Sequence, residues 1–441
     1  MRKHIVRLTI ILIVLAAIVL FWLTRPDRAR LSVAEVSGRL PKITPPRTHL
    51  LPTVHIADAV GWPAGKTPVA VKGLKVQAFA TGLDHPRWLY ALPNGDVLVA
   101  ETNGPAEEGG GIAGWFERRL AKKAGEAGPS ANRITLLRDT NHDGVADQRS
   151  VLIGGLNSPF GMALMDGYLY IADTDALLRV PFTPGETKIT DKPEKVIDLP
   201  HNGGHWTRNV VAAPDGKTLF VSVGSKTNIG EDGMDAEAYR ADILQVDPAT
   251  RTARIYAAGM RNPNGMGFEP RSGRFWAVVN ERDGMGSDLP PDYMSAVELG
   301  DNFGWPWYYW GGYPDKRVEP ENPELQQYSK RPDFALGPHV AALGLTFAQG
   351  SALGPNFSSG AFVGEHGSWD RSPASGYKVV YVPFQPNGFP SSGAKPVDVL
   401  AGFLAPNGDA YGRPVGVATA ADGALLVADD VGDTVWRVSA K

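Results

Sequence analysis

One phrase recurs six times along this chain, and it constrains the fold more than any single motif does. Each copy has a loop with Pro, Gly, His or Arg, a short apolar strand, a polar turn, and a second strand ending in acidic or small polar residues. The copies begin at Gly82, Gly155, Gly203, Gly259, Ala342 and Gly412. Paired strands that recur every roughly 50 to 85 residues are typical of a β-propeller with one blade per copy. The sequence therefore predicts an all-β fold, a six-bladed β-propeller.

The repeat also predicts where function lies. In a hairpin, the start of the first strand and the end of the second strand lie at the same end of the sheet. The loops before the first strands and the residues after the second strands should therefore gather around the mouth of the central channel. Copies three, four and six bring His, Arg and Asn to this face, whereas Pro159 and Leu345 hold the matching positions in copies two and five. We therefore expect copies two and five to be chiefly structural. Separately, we expect strands from the two ends of the propeller to pair with each other and close the ring.

Composition excludes several classes of protein. A formal net charge of −3 over 441 residues argues against a general nucleic-acid binder. Because the chain has no cysteine, it forms no disulfide, no Cys-ligated zinc site and no covalent haem attachment. An oxidoreductase of this sequence must therefore pass its electrons to an external acceptor, such as a quinone or a cytochrome.

The N-terminus has the pattern of a membrane segment. The apolar run Leu8–Leu23 follows a basic start, residues 1–7, and ends in a poor cleavage site. An uncleaved single-span transmembrane anchor is favoured, with a cleaved signal peptide or a core helix as alternatives. We expect the main body in the periplasm, anchored to the inner membrane, or free in the periplasm if the segment is cleaved. Residues 24–65, rich in Pro and Arg, predict a linker, and residues 66–441 the propeller.

An insertion in copy one departs from the strand pattern. Residues 114–125 place Trp115, Phe116 and Leu120 against four basic residues. This spacing predicts a short basic amphipathic helix. Two roles remain open for it, a solvated surface helix or a contact with anionic lipid beside the anchor.

The loop DTNHDGVAD resembles the start of a calcium-binding loop. Its oxygen ligands would be Asp139, Asn141, Asp143 and Asp147, and the flanking sequences look like strands instead of the helices of an EF-hand. Ser150 stands where such a loop has its twelfth-position Glu. A structural Ca²⁺ site and a plain hairpin turn both remain open.

The most informative segment for chemistry is GMRNPNGMGF, from Gly259. An Arg–Asn pair followed by Pro and Gly, here Arg261 and Asn262, can present a guanidinium and an amide to one ligand. Arginine pairs in a planar, bidentate manner with carboxylate or quinone oxygens. In copy three, His205 is a candidate general base, because an unperturbed histidine titrates near neutral pH. A structural histidine is the alternative.

These segments resemble the glucose/sorbosone dehydrogenase family, whose members are six-bladed propellers that use pyrroloquinoline quinone (PQQ) with Ca²⁺ on the channel face. The resemblance runs from about Val69 to the C-terminus and is strongest in RNPNG, residues 261–265, and NFGWP, residues 302–306. NERD, residues 280–283, and EHGSW, residues 365–369, look more like the membrane-bound L-sorbosone dehydrogenase branch. The resemblance implies a quinoprotein dehydrogenase that oxidises a sugar, or a sugar-derived aldehyde or alcohol, by hydride transfer to PQQ.

Carried over residue by residue, the resemblance implies roles in the reaction. His205 matches the general base that removes the proton of the substrate hydroxyl, and Arg261 and Asn262 match the pair that contacts the quinone oxygens. The sequence departs from the family here: Gly204 replaces the Asp before the catalytic His, and Val415 replaces a second cofactor-contacting Arg.

The resemblance also implies how PQQ and its calcium would be held. Arg413 matches an arginine that binds a PQQ carboxylate, and Arg371 or Lys378 takes the place of a cofactor-binding lysine. The backbone carbonyls of Arg282 and Asp283, which replace a Gly–Pro pair of the family, would coordinate Ca²⁺.

Two other functions remain open. A Ca²⁺-dependent lactonase or esterase would direct carboxylate and amide side chains at a central metal, without a collar of arginines; the candidates are Glu101, Asn157, Asn262, Asn280 and Asp429. A non-catalytic propeller would display an interaction surface and would have no buried His–Arg–Asn cluster.

Overall fold

Antiparallel sheets form the framework of the propeller region in this computed structural model. The structure describes residues 2–24, 27–48, 54–105, 119–126, 128–350 and 352–441. Six sheets of four or five strands follow one another along the chain, which confirms the predicted six-bladed β-propeller.

The first strand of each blade lies on the central channel. These inner strands, for blades 1 to 6, are Pro86–Ala91, Met162–Met165, Arg208–Ala212, Pro263–Phe268, Ala342–Phe347 and Pro414–Thr419. Each inner strand contacts the inner strands of both neighbouring blades, and the sixth contacts the first. The blades therefore form a closed ring.

Three further strands complete each blade towards the outside. The second strands are Val97–Glu101, Tyr168–Ala172, Leu219–Val223, Phe275–Val279, Gly360–Glu365 and Leu425–Asp429. The third strands are Arg133–Arg138, Ala176–Pro181, Asp242–Asp247, Pro291–Ala296, Lys378–Pro383 and Thr434–Ala440. The fourth strands are Gln148–Gly154, Glu194–Asp198, Thr252–Ala257, Phe334–Pro338, Val397–Ala401 and, for blade 6, Leu74–Thr81.

A few short elements lie outside this scheme. Blade 5 has a fifth strand, and a two-stranded ribbon follows the third strand of blade 4. These strands are Val69–Ala70, Tyr308–Tyr309 and Tyr313–Pro314. The short 3₁₀ helices are Met234–Glu237, Pro323–Tyr328 and Pro355–Phe357.

The ends of the propeller pair with each other, as predicted. Strand Leu74–Thr81 lies antiparallel to the last strand, Thr434–Ala440, and forms the outer edge of blade 6. A strand from the start of the domain therefore completes the last blade. This pairing covers the outer edge of the last strand and joins the two ends of the propeller domain in one sheet.

The core lies between adjacent blades. Apart from half-buried Tyr168, every residue of the six second strands is buried, because both faces of these strands are covered by neighbouring sheets. This is why the second strands have nearly continuous apolar runs instead of an alternating pattern. Trp88 of blade 1, for example, packs 5.0 Å from Phe160 of blade 2, centroid to centroid.

The N-terminal helix α1, Arg2–Thr24, covers the apolar run and its basic start. Within the part of the chain that the structure describes, no helix is both long enough and apolar enough to cross a membrane. The expected transmembrane anchor is therefore not confirmed.

The stretch expected to be a linker is packed against the propeller instead. We call its described residues, 27–48 and 54–65, the N-terminal strap. Gly38 and Ala335 exchange two backbone hydrogen bonds, at 2.8 and 2.9 Å, which fixes the strap on the outer strand of blade 4. The Val60 amide donates at 2.9 Å to a carbonyl just before blade 6. The strap thus crosses the channel face of blades 4 to 6.

The insertion in blade 1 also lies over the channel. Trp115 and Phe116 fall outside the described residues. Residues 119–126, which we call the cap segment, begin with helical turns. Ala124 is fully buried and Leu120 faces the channel mouth. The basic residues Arg119, Lys122 and Lys123 are exposed, as expected of a solvated surface helix, while the opposite side of the segment contributes to a wall of the cavity described below.

Candidate functional site

A cavity of about 500 Å³ opens at the mouth of the channel. It lies where the inner strands begin and the second strands end, as the repeat predicts. Residues from blades 1, 3, 4 and 5, the strap and the cap segment line it, and the described residues of blades 2 and 6 do not. The prediction that blade 2 is structural is consistent with this lining. The corresponding prediction for blade 5 is wrong, since that blade and the loop leading into it supply seven lining residues.

His205 lies in the cavity wall with one ring nitrogen fixed. Its Nδ1 lies 2.8 Å from the carbonyl oxygen of Ser225, so Nδ1 must carry the proton and donate it. Nε2 is then left unprotonated, as an acceptor. Arg208 donates to the His205 carbonyl at 2.7 Å and holds the backbone in place. Burial, and then the charge of Arg261, lower the pKa of His205 to about 3. The ring is therefore neutral at neutral pH, and its Nε2 is a hydrogen-bond acceptor.

The backbone explains why Gly204 precedes this histidine. Gly204 has φ +74°, and a Cβ there would lie 2.4 Å from the backbone of Lys226. A side chain such as Asp cannot occupy this position without moving the adjacent loop. The departure from the family at Gly204 is therefore built into the local fold.

Arg261 and Asn262 lie beside His205 in the lining. The Arg261 guanidinium donates to the Glu281 carbonyl at 2.9 Å and to the Asp283 carboxylate at 3.2 Å. Among the described residues, Nε of Arg261 and Oδ1 of Asn262 have no hydrogen-bond partner although both atoms are buried. Buried polar atoms of this kind are normally satisfied, so these two indicate a polar ligand in the cavity.

A second basic group lies across the cavity on blade 1. Arg87 donates to the Asp430 carboxylate at 2.5 Å, and its guanidinium lies 5.4 Å from the ring centroid of Trp206. Asp430 also pairs with Nε2 of His366 at 2.9 Å and lies 3.6 Å from Nε2 of His85. Burial opposes the charge of Asp430, but His366, His85 and Arg87 outweigh it and hold the pKa of that carboxyl well below its usual range. Asp430 thus fixes the position of Arg87.

A third set of charges lies on the side of blades 4 and 5. The Asp283 carboxylate contacts both Arg261 and Nδ1 of His339, the latter at 3.4 Å. Burial opposes the charge of Asp283, but Arg261 and His339 lower its pKa to about 2. Burial likewise opposes the charge of His339, but Asp283 raises its pKa to about 9. Burial, and then the charge of Asp283, raise the pKa of Asp370 to about 7. This wall is therefore an ion-pair network with one carboxyl that titrates near neutral pH.

Arg413 does not lie in the lining. Its side chain is fully buried behind the wall, 5.1 Å from the Tyr377 ring centroid. One of its nitrogens donates to the Ala57 carbonyl of the strap at 3.4 Å, and Nε and Nη1 have no partner among the described residues. Val415 is a fully buried core residue. The structure therefore brings neither position to the cavity, and the role expected for Arg413 lacks the required geometry.

Arg371 and Lys378 are also used elsewhere. Arg371 donates to the Leu31 carbonyl of the strap at 3.2 Å and lies 3.7 Å from Asp288. Lys378 pairs with Asp398 at 2.6 Å on the outer part of blade 5. Neither side chain is part of the cavity wall, so neither replaces a cofactor-binding lysine in this structure.

The calcium site expected at Arg282 and Asp283 does not fit the residues found there. The Arg282 side chain is fully buried and donates to Glu281 at 3.0 Å. The Asp283 carbonyl, an expected Ca²⁺ ligand, accepts hydrogen bonds from Asn228 at 3.2 Å and from Arg317 at 2.9 Å. Within the described ranges, no three His, Asp or Glu side chains converge as a metal site. A guanidinium thus stands where a metal cation was expected.

The loop from Asp139 to Asp147 is a hydrogen-bonded turn between two strands of blade 1. Carboxylates of Asp139 and Asp143 each accept a backbone amide at 2.8 Å. Asn141 donates to Asp143 at 3.1 Å, and Asp147 accepts the amide of Thr140 at 3.2 Å. The side chains that would bind calcium therefore close the turn themselves, which favours the plain hairpin over a structural Ca²⁺ site.

The acids at the ends of the second strands have a structural role. Glu101, Asp173 and Asp429 each accept a backbone amide from the loop that precedes the inner strand of their own blade, at 2.5 to 2.8 Å. They close the blade instead of pointing at a shared metal. This arrangement does not match the central metal expected of a lactonase, and the buried cluster around Arg261 does not match a non-catalytic propeller.

Several lining residues were not selected from the sequence: Val54, Glu126, His339 and Asp370. His339 lies three residues before Ala342, where the fifth copy of the phrase begins. Extending that copy backwards would have found it. No pattern in the sequence points to Val54 or Glu126, because their place over the channel depends on how the strap and the cap segment fold.

Comparison with known proteins identifies the family. The TrAA12-like family model matches residues 126–299 and 312–441. The chain belongs to this family. Its relatives are PQQ-dependent, sugar dehydrogenase-like six-bladed propellers, so the resemblance noted from the sequence is confirmed.

Three relatives show how far the similarity extends. A Borreliella burgdorferi protein of uncharacterized function is 30% identical over 295 residues, covering 64% of this chain and 76% of that protein. A PQQ-dependent pyranose dehydrogenase from Coprinopsis cinerea is 27% identical over 248 residues, or 46% of this chain and 33% of that enzyme. An aldose sugar dehydrogenase from Escherichia coli is 28% identical over 195 residues, which cover 40% of this chain and 50% of that enzyme. The matches thus cover a third of the pyranose dehydrogenase and half of the aldose sugar dehydrogenase.

Solved structures confirm the fold. An AA12 carbohydrate-active enzyme from Trichoderma reesei superposes with a TM-score of 0.69 at 19% identity, covering 85% of this chain and 98% of that one. The holo PQQ domain of the Coprinopsis cinerea pyranose dehydrogenase superposes with a TM-score of 0.66 at 19% identity, covering 87% and 100%. At these identities the likeness is one of fold.

Proposed function

We propose that this protein is a quinoprotein dehydrogenase that oxidises a sugar, or a sugar-derived alcohol or aldehyde, with PQQ held in the channel-mouth cavity. The observation that carries the proposal is the pairing of His205, whose Nε2 is free to accept a proton, with the unsatisfied polar atoms of Arg261 and Asn262 in one buried wall. Relatives in the same family are sugar dehydrogenases, and one of them has a PQQ domain solved in its holo form.

The residues present fit a flat, anionic cofactor. PQQ carries three carboxylates, and the wall presents Arg87 and Arg261, each with a buried Nε that lacks a partner among the described residues. Trp206 and Trp369 add aromatic surface to the same cavity. The amide of Asn262 and the cationic His339 would complete the polar contacts. The proposal does not include calcium, since the ligand set found near Asp283 does not suit a cation.

The roles of the protein groups follow from their geometry. When bound, PQQ supplies the redox chemistry by accepting a hydride. His205 takes the proton of the substrate hydroxyl at Nε2, while Nδ1 keeps its hydrogen bond to Ser225 and holds the ring in one orientation. Arg261, itself oriented by Glu281 and Asp283, faces the same space and offers positive charge to developing oxyanions.

Purified full-length protein, supplied with PQQ and an artificial electron-acceptor dye, tests this directly. We expect PQQ-dependent dye reduction with at least one aldose, polyol or sorbosone-type aldehyde. His205→Ala should lower kcat by roughly 10²- to 10⁴-fold, the usual contribution of general base catalysis, while PQQ affinity changes little. His201→Ala is the matched control, because His201 is exposed outside the cavity. Full activity of the His205 variant would remove it as the base, and a lack of PQQ-dependent turnover with every substrate class would defeat the proposal.

The cellular setting is part of the same proposal and rests on the sequence. The basic start and apolar run favour export of the propeller to the periplasm. The absence of cysteine requires an external electron acceptor in place of a covalently attached haem.

A further inference from the structure

The cap segment brings a carboxylate into the cavity from outside the ring of blades. Leu120 and Glu126 both line the cavity, next to Val54 of the strap. The Glu126 amide donates to the Ala121 carbonyl at 2.8 Å, which closes the end of the helical turn. The backbone at Glu126 is therefore held in position.

The strap holds the cap segment from the other side. The Ala59 amide donates to the Lys123 carbonyl at 2.9 Å, and Ala124 is fully buried beneath this contact. At Gly125, a Cβ would lie 3.0 Å from Ala59. The two segments are packed closely, so Glu126 has a fixed place at the mouth of the cavity.

Glu126 is not a member of the ion-pair network on the wall formed by blades 4 and 5. Three acids belong to the described lining: Glu126, Asp283 and Asp370. Asp283 is committed to Arg261 and His339. Asp370 is close enough to Asp283 for their charges to repel. Glu126 is thus the lining acid that comes from the cap segment and lies outside the pairs that Asp283 makes with Arg261 and His339.

The same cavity offers the apolar surface that a sugar ring needs. Trp206 and Trp369 are both partly exposed in the lining, and the Trp369 carbonyl accepts the His55 amide of the strap at 2.6 Å. Ligand sites combine aromatic walls with a few polar groups that fix orientation. A pyranose can pack its C–H face on an indole while its hydroxyl groups donate to a carboxylate.

We propose that Glu126 is a specificity-determining residue that contacts the substrate, selecting neutral or amino sugars and rejecting sugar acids. The inference rests on the proposed function and names the substrate class for that site. The Glu126 carboxylate accepts hydrogen bonds from sugar hydroxyl or ammonium groups. It repels the carboxylate of a uronic or aldonic acid in a partly desolvated space, where like charges weigh more than in water.

Three sugars with the same ring test this: D-glucose, D-glucosamine and D-glucuronate. Wild-type protein, Glu126→Gln and the exposed-site control Glu186→Gln are compared, each loaded with PQQ. Both kcat/KM and the equilibrium dissociation constant of each sugar are measured, the latter by calorimetry. For the wild type and the control, we expect kcat/KM to be at least about 100-fold lower, and the dissociation constant at least about 100-fold higher, with glucuronate than with glucose. Glu126→Gln should reduce this difference between glucuronate and glucose about tenfold or more, while the affinity for PQQ stays unchanged.

The two readouts separate the two claims. If none of the three sugars is turned over, the proposed function is decided by the wider set of aldoses, polyols and aldehydes, and the ratio of dissociation constants still decides about Glu126. If Glu126→Gln leaves the glucuronate-to-glucose ratio unchanged, or if the wild type binds glucuronate as well as glucose, the role of Glu126 is overturned whether or not the protein is a dehydrogenase.

Discussion

Asp430 is the buried charge whose loss should affect the protein most. Its carboxylate accepts from Arg87 at 2.5 Å and from His366 at 2.9 Å, and Asp430 and Arg87 are 1% and 5% exposed. Asp430→Asn keeps the volume but leaves the Arg87 guanidinium buried without its counter-charge. Two hydrogen bonds to a charged group, at about 1.5–3 kcal/mol each, amount to about 3–6 kcal/mol. The usual loss on breaking a buried ion pair is about 3–5 kcal/mol, so we expect a loss of unfolding free energy of about 3–5 kcal/mol.

Urea denaturation followed by tryptophan fluorescence measures this loss of unfolding free energy. Asp422→Asn is the matched control on the same blade, because Asp422 pairs with Arg437 at the surface, where an ion pair contributes about 0–1 kcal/mol. We expect the Asp430 variant to unfold at clearly lower urea concentration and the Asp422 variant to resemble the wild type. Equal effects of the two substitutions would refute the argument that burial makes the Asp430 pair important.

The pH dependence of the same difference gives a second check. The folded-state pKa of Asp430 lies below its ordinary range, so its stabilising contribution is complete above about pH 4. That contribution is lost as the pH falls through the lowered pKa. The difference in unfolding free energy between wild type and Asp430→Asn should therefore be constant from about pH 8 to pH 5. It should become smaller only below about pH 4. A gap that closes near neutral pH would contradict the assignment of Asp430 as a buried carboxylate.

Two further predictions concern the strap and the loop in blade 1. Arg47→Ala removes ion pairs to Asp27 and Asp288, both at 2.9 Å. It should lower the free energy of unfolding by about 1–3 kcal/mol and speed limited proteolysis within residues 27–48. An unchanged cleavage rate would argue against the strap being anchored by these pairs. Removing metal with EDTA should leave Tm within about 1 °C, because Asp139 and Asp143 already close their turn with backbone amides. A larger fall in Tm that Ca²⁺ restores, and that Asp143→Asn abolishes, would show that the loop binds calcium after all.

Much of the fold could be predicted because the repeat expresses one local rule six times. Apolar strands joined by polar turns must bury both faces, and six such sheets satisfy that requirement by packing side by side in a ring. The pairing of the chain ends follows from the same need to cover an open edge. The face of the cavity and the places of His205, Arg261 and Asn262 follow as well, since these positions are fixed by their distance from a strand end.

Residues that act at a distance from the strand ends could not be placed in this way. Arg413 occupies the expected position in blade 6, yet its side chain packs behind the wall on Tyr377 and the strap. Lys378 points to Asp398 on the outer part of its blade. For a long side chain, the partner it finds decides its direction, and that partner comes from another part of the chain.

The sequence by itself determined a six-bladed ring, its closure, and a channel face bearing a histidine and an Arg–Asn pair. These features depend on short-range patterns, strand length and turn chemistry, which are present in each copy of the phrase. Only the tertiary structure decided what covers that face. The strap and the cap segment have no repeat to fix them. They lie where they do because their backbone amides and buried residues find partners on blades distant in sequence, and this brings Glu126 and Val54 to the cavity.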